Sequence, residues 1–353
     1  MGRQHGLQAR ELRPLIIKSI KAQFSQVEQD GSDERFESLL RQTAELLQEV
    51  DLPILEAIRG QAEGLEIEFE VLLRYGLVAY LRDALVTKRW RRDESCTTWA
   101  ASGPATANRK HMLVKNRDSG LERLPLQWLV RAQPKVGYCY AYVSSAGSPG
   151  VFCAGMNEVG LAVADTHVCS TDIGPGVPDY SLMMHILEEH SSVRSALDYL
   201  RSVTRMGRNN LILADASGNL AVFEIGHMNH GLIEADGHFL VNTNHFVSHS
   251  LKDHFVDTNP PALKRNSFHR YEKVRSELED SYGHIDTALA KRLMAWHGSP
   301  LDSLCRHPAP NWPEETLSTT IFLPTGTEGC ARPSLLFCSG RPCQAAYENL
   351  TIH

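Results

Sequence analysis

Ser95-Cys96-Thr97-Thr98 marks the place where the hydrophobic period of this 353-residue chain changes from helical to extended. Upstream, apolar residues recur three and four apart. Leu12, Leu15, Ile16 and Ile20 make one stripe and Phe36, Leu39, Leu40, Leu46 and Leu47 a second; Pro53 separates these from a third around Leu55 and Ile58. That spacing stacks side chains on one helical face, so the chain to about Tyr80 is expected to be helical. Lys88-Arg89-Trp90-Arg91-Arg92-Asp93-Glu94, six charges in seven residues, follows and reads as a solvated connection. Downstream come short β-rich runs at 111–115, 127–130, 138–143 and 161–165, which read as strands.

Helical spacing returns over 181–203. Leu182, His185, Ile186 and Glu189 precede Ser191-Ser192, and Val193, Leu197 and Leu200 follow, which predicts two short helices, the second capped by serine. Residues 211–214 and 220–225 flank Ser217-Gly218-Asn219 as the arms of a hairpin, and Asp236-Gly237 introduces a strand at 238–242. Residues 267–297 read as helical, and 320–323 and 335–338 as the last strands. Batches of strands between batches of helices predict an α+β chain in which stacked sheets are covered by helices. The Pro-rich stretches 174–178 and 308–313 are too short to link domains and read as surface loops.

Composition excludes several functions. Asp and Glu number 42 against 36 Lys and Arg, a formal charge of −6, so no basic face for nucleic acid is forced. An apolar content of 42% suffices for a large core. No run approaches the roughly 18 apolar residues of a membrane span. Arg3, Arg10, Arg13, Lys18 and Lys21 occupy the region where a signal peptide would be apolar. Eight cysteines without a C-x-x-C pair suit free thiols, and the expected location is the cytoplasm.

Alone, Cys96 beside two strand-forming threonines is an ordinary core residue. Lys115-Asn116-Arg117-Asp118 and Asn242-Thr243-Asn244-His245 give it a second reading. Cys-Thr-Thr, then Asn-x-Asp, then Thr-Asn-His resembles the isopenicillin N acyltransferase-like branch of the N-terminal nucleophile hydrolases. That branch includes β-alanyl-amine (carcinine) hydrolases, with choloylglycine hydrolases and acid ceramidase as distant relatives. Gly2-Arg3-Gln4-His5-Gly6, Arg59-Gly60-Gln61-Ala62-Glu63-Gly64, Gly155-Met156-Asn157-Glu158-Val159-Gly160-Leu161 and Ser267-Phe268-His269-Arg270 are similar to its further motifs in the same order.

The resemblance implies an αββα sandwich of two stacked, mainly antiparallel sheets flanked by helices, made as a precursor that cuts itself between Ser95 and Cys96. Residues 1–95 would become an α-chain and 96–353 a catalytic β-chain, associated within one domain. The freed cysteine carries its own base, an α-amine with a reference pKa of about 7.7–8.0, so no catalytic histidine is required. Asn244, a neutral amide after a strand, is the candidate oxyanion donor. By family position Asp118 orients the amine, and Lys115 and Arg270 are supporting charges. Asp165 and His167, with Asn210 of the Arg208-Asn209-Asn210 segment, are candidate substrate contacts in a polar pocket. This favours hydrolysis of a small linear amide, N-acyl or β-alanyl amine in type, without cofactor or metal. The alternative is transfer of an acyl group from a coenzyme A thioester or amide to a small amine. Many members of the branch have glycine where this chain has Ser95, which motivates a third reading, an unprocessed binding protein.

His245, His249, Asp253 and His254 have a metal-site composition, yet Ser248, Ser250 and Lys252 interleave them and no H-E-x-x-H is present, so a polar loop or surface helix is the simpler account. Cys305, Cys330, Cys338 and Cys343 lack zinc-ribbon spacing. His227 and His230 read as a turn. The loop 298–318, bearing Trp312, either covers the pocket or lies passively on the surface.

Overall fold

The computed structural model describes residues 1–29, 34–85, 94–235, 238–309, 314–327 and 331–352. The charged connection up to Asp93, the Asp236-Gly237 turn, Trp312, Cys330 and the end of the second Pro-rich stretch lie outside them.

The helical stripes become α1 (Gly2–Gln8), α2 (Arg13–Gln29), α3 (Glu34–Val50), α4 (Leu52–Leu65) and α5 (Phe69–Leu85). Pro53 sits in the first turn of α4, where a missing N–H costs nothing, and the Asp51 carboxylate caps that turn by accepting from the Ile54 amide at 3.3 Å. The paired glycines of the first two motifs explain how α1 meets α4. A Cβ on Gly6 would lie 2.4 Å from the Gln61 carbonyl oxygen, and one on Gly64 would lie 2.6 Å from the Arg3 oxygen and the Leu7 nitrogen. The two backbones touch, so neither position accepts a side chain.

From Glu94 the chain builds β1 (Glu94–Ala101), β2 (Met112–Gly120), β3 (Gln127–Ala132), β4 (Tyr140–Ser145), β5 (Ala154–Asn157) and β6 (Ala162–Thr166). After α6 (Asp179–Glu189) and α7 (Val193–Ser202) come β7 (Asn210–Ala214), β8 (Leu220–Ile225), β9 (His230–Glu234) and β10 (Phe239–Asn242). The chain closes with α8 (Asn266–Asp280), α9 (Thr287–Met294), β11 (Glu314–Leu323), β12 (Ser334–Ser339) and β13 (Tyr347–Thr351). The expected cap is present: Ser192 Oγ accepts from the Ser195 amide at 3.2 Å at the start of α7.

The strands form two antiparallel sheets, ordered β10-β1-β2-β11-β12-β13 and β3-β4-β5-β6-β7-β8-β9. Period-2 alternation stacks them. Ala162 and Ala164 of β6 face Ala100, Leu113 and Phe322 of the other sheet. Val163, Leu211 and Phe223 point away, towards α6, α7 and the N-terminal helices through Leu182, Ile186, Leu197, Ile54 and Ile58. On the far side Trp99, Val114 and Ile321 pack on Val274 and Leu278 of α8 and Leu289 and Leu293 of α9. The layers are therefore αββα. No helix among the described residues is long and apolar enough to cross a membrane.

Four of the described strands are not among the runs read from the sequence: β1 spans the period change at Cys96 itself, and three more depend on their neighbours. β5 is a four-residue run containing glycine, β13 is a polar edge strand, and β9 begins at His230, which had read as part of a turn. Their neighbours supply pairing that local propensity does not, His230 aligning with Ile225. The helical reading of 267–297 breaks between Asp280 and Thr287 into α8 and α9, where Asp286 caps the second by accepting from the Leu289 amide at 2.7 Å.

Candidate active site

Cys96 is the third residue of β1, between β10 and β2. Register places Ser95 opposite Asp118, Cys96 opposite Arg117 and Thr98 opposite both Lys115 and Asn242. β10 then delivers the Thr243-Asn244-His245 turn to the same end of the sheet. Three groups pin that turn. Ser267 Oγ accepts from the Asn244 amide at 2.7 Å and bonds His245 Nδ1 at 2.8 Å; its carbonyl accepts from Thr243 Oγ1 at 3.0 Å. The His245 ring stacks on Phe268, centroids 3.9 Å apart. Asn210 Nδ2, fully buried on the facing sheet, donates to Asn242 Oδ1 at 2.9 Å and to the carbonyls of Thr243 and His245 at 3.2 and 3.0 Å.

Asn244 is thereby aimed at Cys96. Its Oδ1 accepts from the Cys96 backbone nitrogen at 3.0 Å, from Ser95 Oγ at 3.3 Å and from Arg270 Nη2 at 2.7 Å. Three donors on one atom determine the amide orientation, because the flipped form would press NH2 against a guanidinium. Nδ2 donates to the His167 carbonyl at 2.9 Å. Arg270, fully buried on α8, donates through Nη1 to the Cys96 carbonyl at 2.5 Å and to Thr97 Oγ1 at 2.7 Å, and through Nη2 to Ser95 Oγ at 3.0 Å. One guanidinium fork thus spans the Ser95–Cys96 peptide on two sides.

Asp118 is buried opposite Ser95, and its carboxylate turns to Thr316 Oγ1 at 2.6 Å and the Arg306 guanidinium at 3.2 Å. Burial pushes its carboxyl above the usual range, opposed by Arg306 and Arg270. The side chain on the Cys96 backbone nitrogen is Asn244, not Asp118. Lys115 Nζ donates to the carbonyls of Asp165 at 2.7 Å and Cys153 at 3.1 Å and pairs with the Asp165 carboxylate. Burial would pull the ammonium down, but Asp165, Cys153 and Cys96 more than reverse this, and it stays charged. Burial pushes the Cys96 thiol up to about 12 against the pull of Lys115. In this environment Cys96 is a neutral thiol.

Sequence reasoning missed several residues here. Ser267 and Asn242 fix the turn, Thr316 and Arg306 hold Asp118, and Asn209 Nδ2 reaches Asp165 Oδ2 at 3.4 Å and the Asp179 carboxylate. Ser267, Asn242 and Asn209 lay within quoted motifs without a role of their own, whereas Thr316 and Arg306 carried no local signal. The 245–254 histidines do not converge. His245 is buried against Phe268, and His254 Nδ1 pairs with Thr171 Oγ1 at 3.0 Å. The segment holds one short turn of helix at Lys252–His254, not a helix presenting two imidazoles.

Residues 105–329 match the family model for acyl-coenzyme A:6-aminopenicillanic acid acyl-transferase. No curated protein matches this sequence. Among solved structures, a variant of conjugated bile acid hydrolase from Clostridium perfringens superposes with a TM-score of 0.48 at 12% identity, covering 73% of this chain and 97% of its own. The N-acylethanolamine-hydrolyzing acid amidase orthologue of Caenorhabditis elegans gives 0.46 at 15% identity, over 65% of this chain and 93% of its own. Penicillin V acylase from Agrobacterium tumefaciens gives 0.42 at 15% identity, over 69% and 83%.

Proposed function

Because the chain belongs to the acyl-coenzyme A:6-aminopenicillanic acid acyl-transferase family and is an amide hydrolase or acyltransferase, we propose that it is a self-processing cysteine amidohydrolase cleaving a small linear amide of the N-acyl or β-alanyl-amine type. The observation that carries this reading is the convergence of Asn244 Oδ1 on the Cys96 nitrogen, at 3.0 Å, with the Arg270 fork on the Cys96 carbonyl and the Ser95 hydroxyl that flank the Ser95–Cys96 peptide.

In processing, Cys96 Sγ attacks the Ser95 carbonyl carbon. The C–N bond breaks, the nitrogen leaves as the Cys96 α-amine, and water hydrolyses the Ser95 thioester to a carboxylate and the free thiol. Ser95 is absent from the residues with positive φ and lies in extended strand, a backbone that serine adopts without penalty. After the cut, Asn244 Oδ1 holds one amine hydrogen and turns the lone pair to the thiol, while Asp118, its carboxylate engaged by Thr316 and Arg306, acts as a positioning residue opposite Ser95. A thiol that burial has raised to about 12 needs this base. The amine takes the thiol proton, the thiolate attacks the amide carbonyl, and the same proton passes to the departing amine. Lys115 biases the sulfur towards thiolate. Asn244 Nδ2 serves the oxyanion, the substrate oxygen replacing the His167 carbonyl, in a role typically worth about 2.7–4 kcal/mol per donor. Asp165 and His167 line the acyl side, while Asn210, its donors engaged, acts by positioning the turn.

The second reading, transfer to an amine, is favoured by the description of the family itself. It shares every step to the acyl-enzyme and differs in whether water or an amine arrives. Intact mass of the denatured protein beside Cys96→Ala tests processing. The expected result is two species of about 11 and 29 kDa, the 39.4 kDa chain divided by residue share, the larger beginning at Cys96, and one uncut species for the variant. Amine release from a panel of N-acyl and β-alanyl amines then tests turnover. A single uncut wild-type species inert to the panel would leave the unprocessed binding protein as the reading.

A further inference from the structure

His297, Cys305, His307 and Cys343 each offer one ligand atom, and the four atoms lie within 4.8 Å of one another. We propose that they bind a structural zinc ion, in a site separate from the nucleophile. The distances support it. Cys305 and Cys343 Sγ are 3.6 Å apart; His307 Nε2 lies 3.3 Å from Cys343 Sγ, 3.9 Å from Cys305 Sγ and 3.1 Å from His297 Nε2. Tetrahedral zinc with Zn–S of about 2.3 Å and Zn–N of about 2.0–2.1 Å requires S–S, S–N and N–N edges of about 3.8, 3.6 and 3.3 Å. A sulfur pair at 3.6 Å is far outside disulfide bonding distance.

The donor set selects the metal. Two thiolates and two neutral imidazoles in tetrahedral array favour zinc, and four protein ligands close the coordination sphere, which marks a structural site. Binding converts two thiols to thiolates and releases two protons to solvent, and the metal charge offsets the two sulfurs. A cavity of about 390 Å³ bordered by His297, Cys305 and His307 provides entry. One contact must change. Arg341 Nη1 lies 3.0 Å from His307 Nδ1, but a ring ligating through Nε2 keeps its proton on Nδ1 and repels a donor. Arg341 is half-buried and has Glu315 Oε2 3.9 Å away as its alternative partner.

The site has a purpose in the fold. None of its four residues lies in a helix or strand: His297 follows α9, Cys305 and His307 precede β11, and Cys343 is in the turn between β12 and β13. Zinc would join these three segments. Between two ligands sits Arg306, whose guanidinium pairs with Asp118 at 3.2 Å and reaches Asn266 Oδ1 at 2.5 Å. The metal therefore fixes the peptide that holds Asp118 opposite Ser95.

The test uses the full chain, produced without a polyhistidine tag in zinc-supplemented medium and passed through gel filtration. Expected are about one zinc per chain by elemental analysis and, after exchange with cobalt(II), the intense visible bands of a tetrahedral site with thiolate-to-cobalt charge transfer. Cys343→Ser and His297→Asn should each lower retained zinc at least about tenfold, while His249→Asn retains it. Cobalt binding by the wild-type chain keeps the test decisive if a variant fails to fold. Wild-type protein that holds no zinc and gives no cobalt bands overturns the proposal, as does a mass two hydrogens lighter locating a Cys305–Cys343 disulfide.

Discussion

At Cys96 the surroundings favour a neutral thiol, so under the proposed mechanism activation falls on what touches its nitrogen and carbonyl. Arg270 makes four hydrogen bonds there that a lysine cannot reproduce, because an ammonium lacks the planar fork. Arg270→Lys should retain the charge and lose the geometry. At about 1.5–3 kcal/mol for a charge-assisted bond, processing should slow by about ten- to a hundredfold, read as the uncut fraction against time after synthesis. Processing at the wild-type rate would remove Arg270 from the machinery. The Cys96→Ala mass comparison belongs to the same scale. Cys96 and the T-N-H turn stood out in the sequence through residue type and spacing. Arg306 and Thr316 did not, because nothing in their local composition relates them to Asp118.

Among the elements, α1 and α4 show how a motif with no chemistry constrains packing. Their glycines permit backbone contact, so Gly64→Ala must separate the helices. Overpacking of this kind costs about 1–3 kcal/mol, expected as a Tm lowered by several degrees in thermal denaturation. An unchanged Tm would mean that the crossing is not required. The stripes at 12–20 and 55–58 were legible because a helix shows its partner-facing side every three to four residues. β5 and β13 were not legible, since a short polar or glycine-containing strand exists only through its neighbours.

For the whole molecule, the proposed cut would leave residues 1–95 held to the rest by packing and a few buried contacts. Asp51, at the cap of α4, meets His185 Nε2 of α6 at 3.0 Å and accepts from Ser181 Oγ. Tyr80 Oη accepts from the Asp179 amide at 2.9 Å. Burial alone would lower His185, but Asp51 and Glu189 outweigh it and raise the imidazole to about 9. A raised histidine stabilises the fold fully below its ordinary value of 6.5, and the contribution is lost as pH rises through about 9. His185→Asn should therefore lower Tm at pH 6, and the gap to wild type should close by about pH 10. A gap independent of pH would assign His185 to packing alone.

By itself the sequence determined the helical N-terminal segment, most of the strands as short β-rich runs and the cysteine where one period gives way to the other. These are local properties, carried by residues within a few positions of each other. Only the tertiary structure decided that Asn244, 148 positions from Cys96, meets its nitrogen, and that Arg270, 174 positions away, meets its carbonyl. Likewise His297, Cys305, His307 and Cys343 have no regular spacing, and their convergence comes from the order β11-β12-β13 at the sheet edge and the packing of α9 against it. Backbone periodicity is set by neighbours along the chain, whereas a site is set by where sheets and helices bring distant residues together.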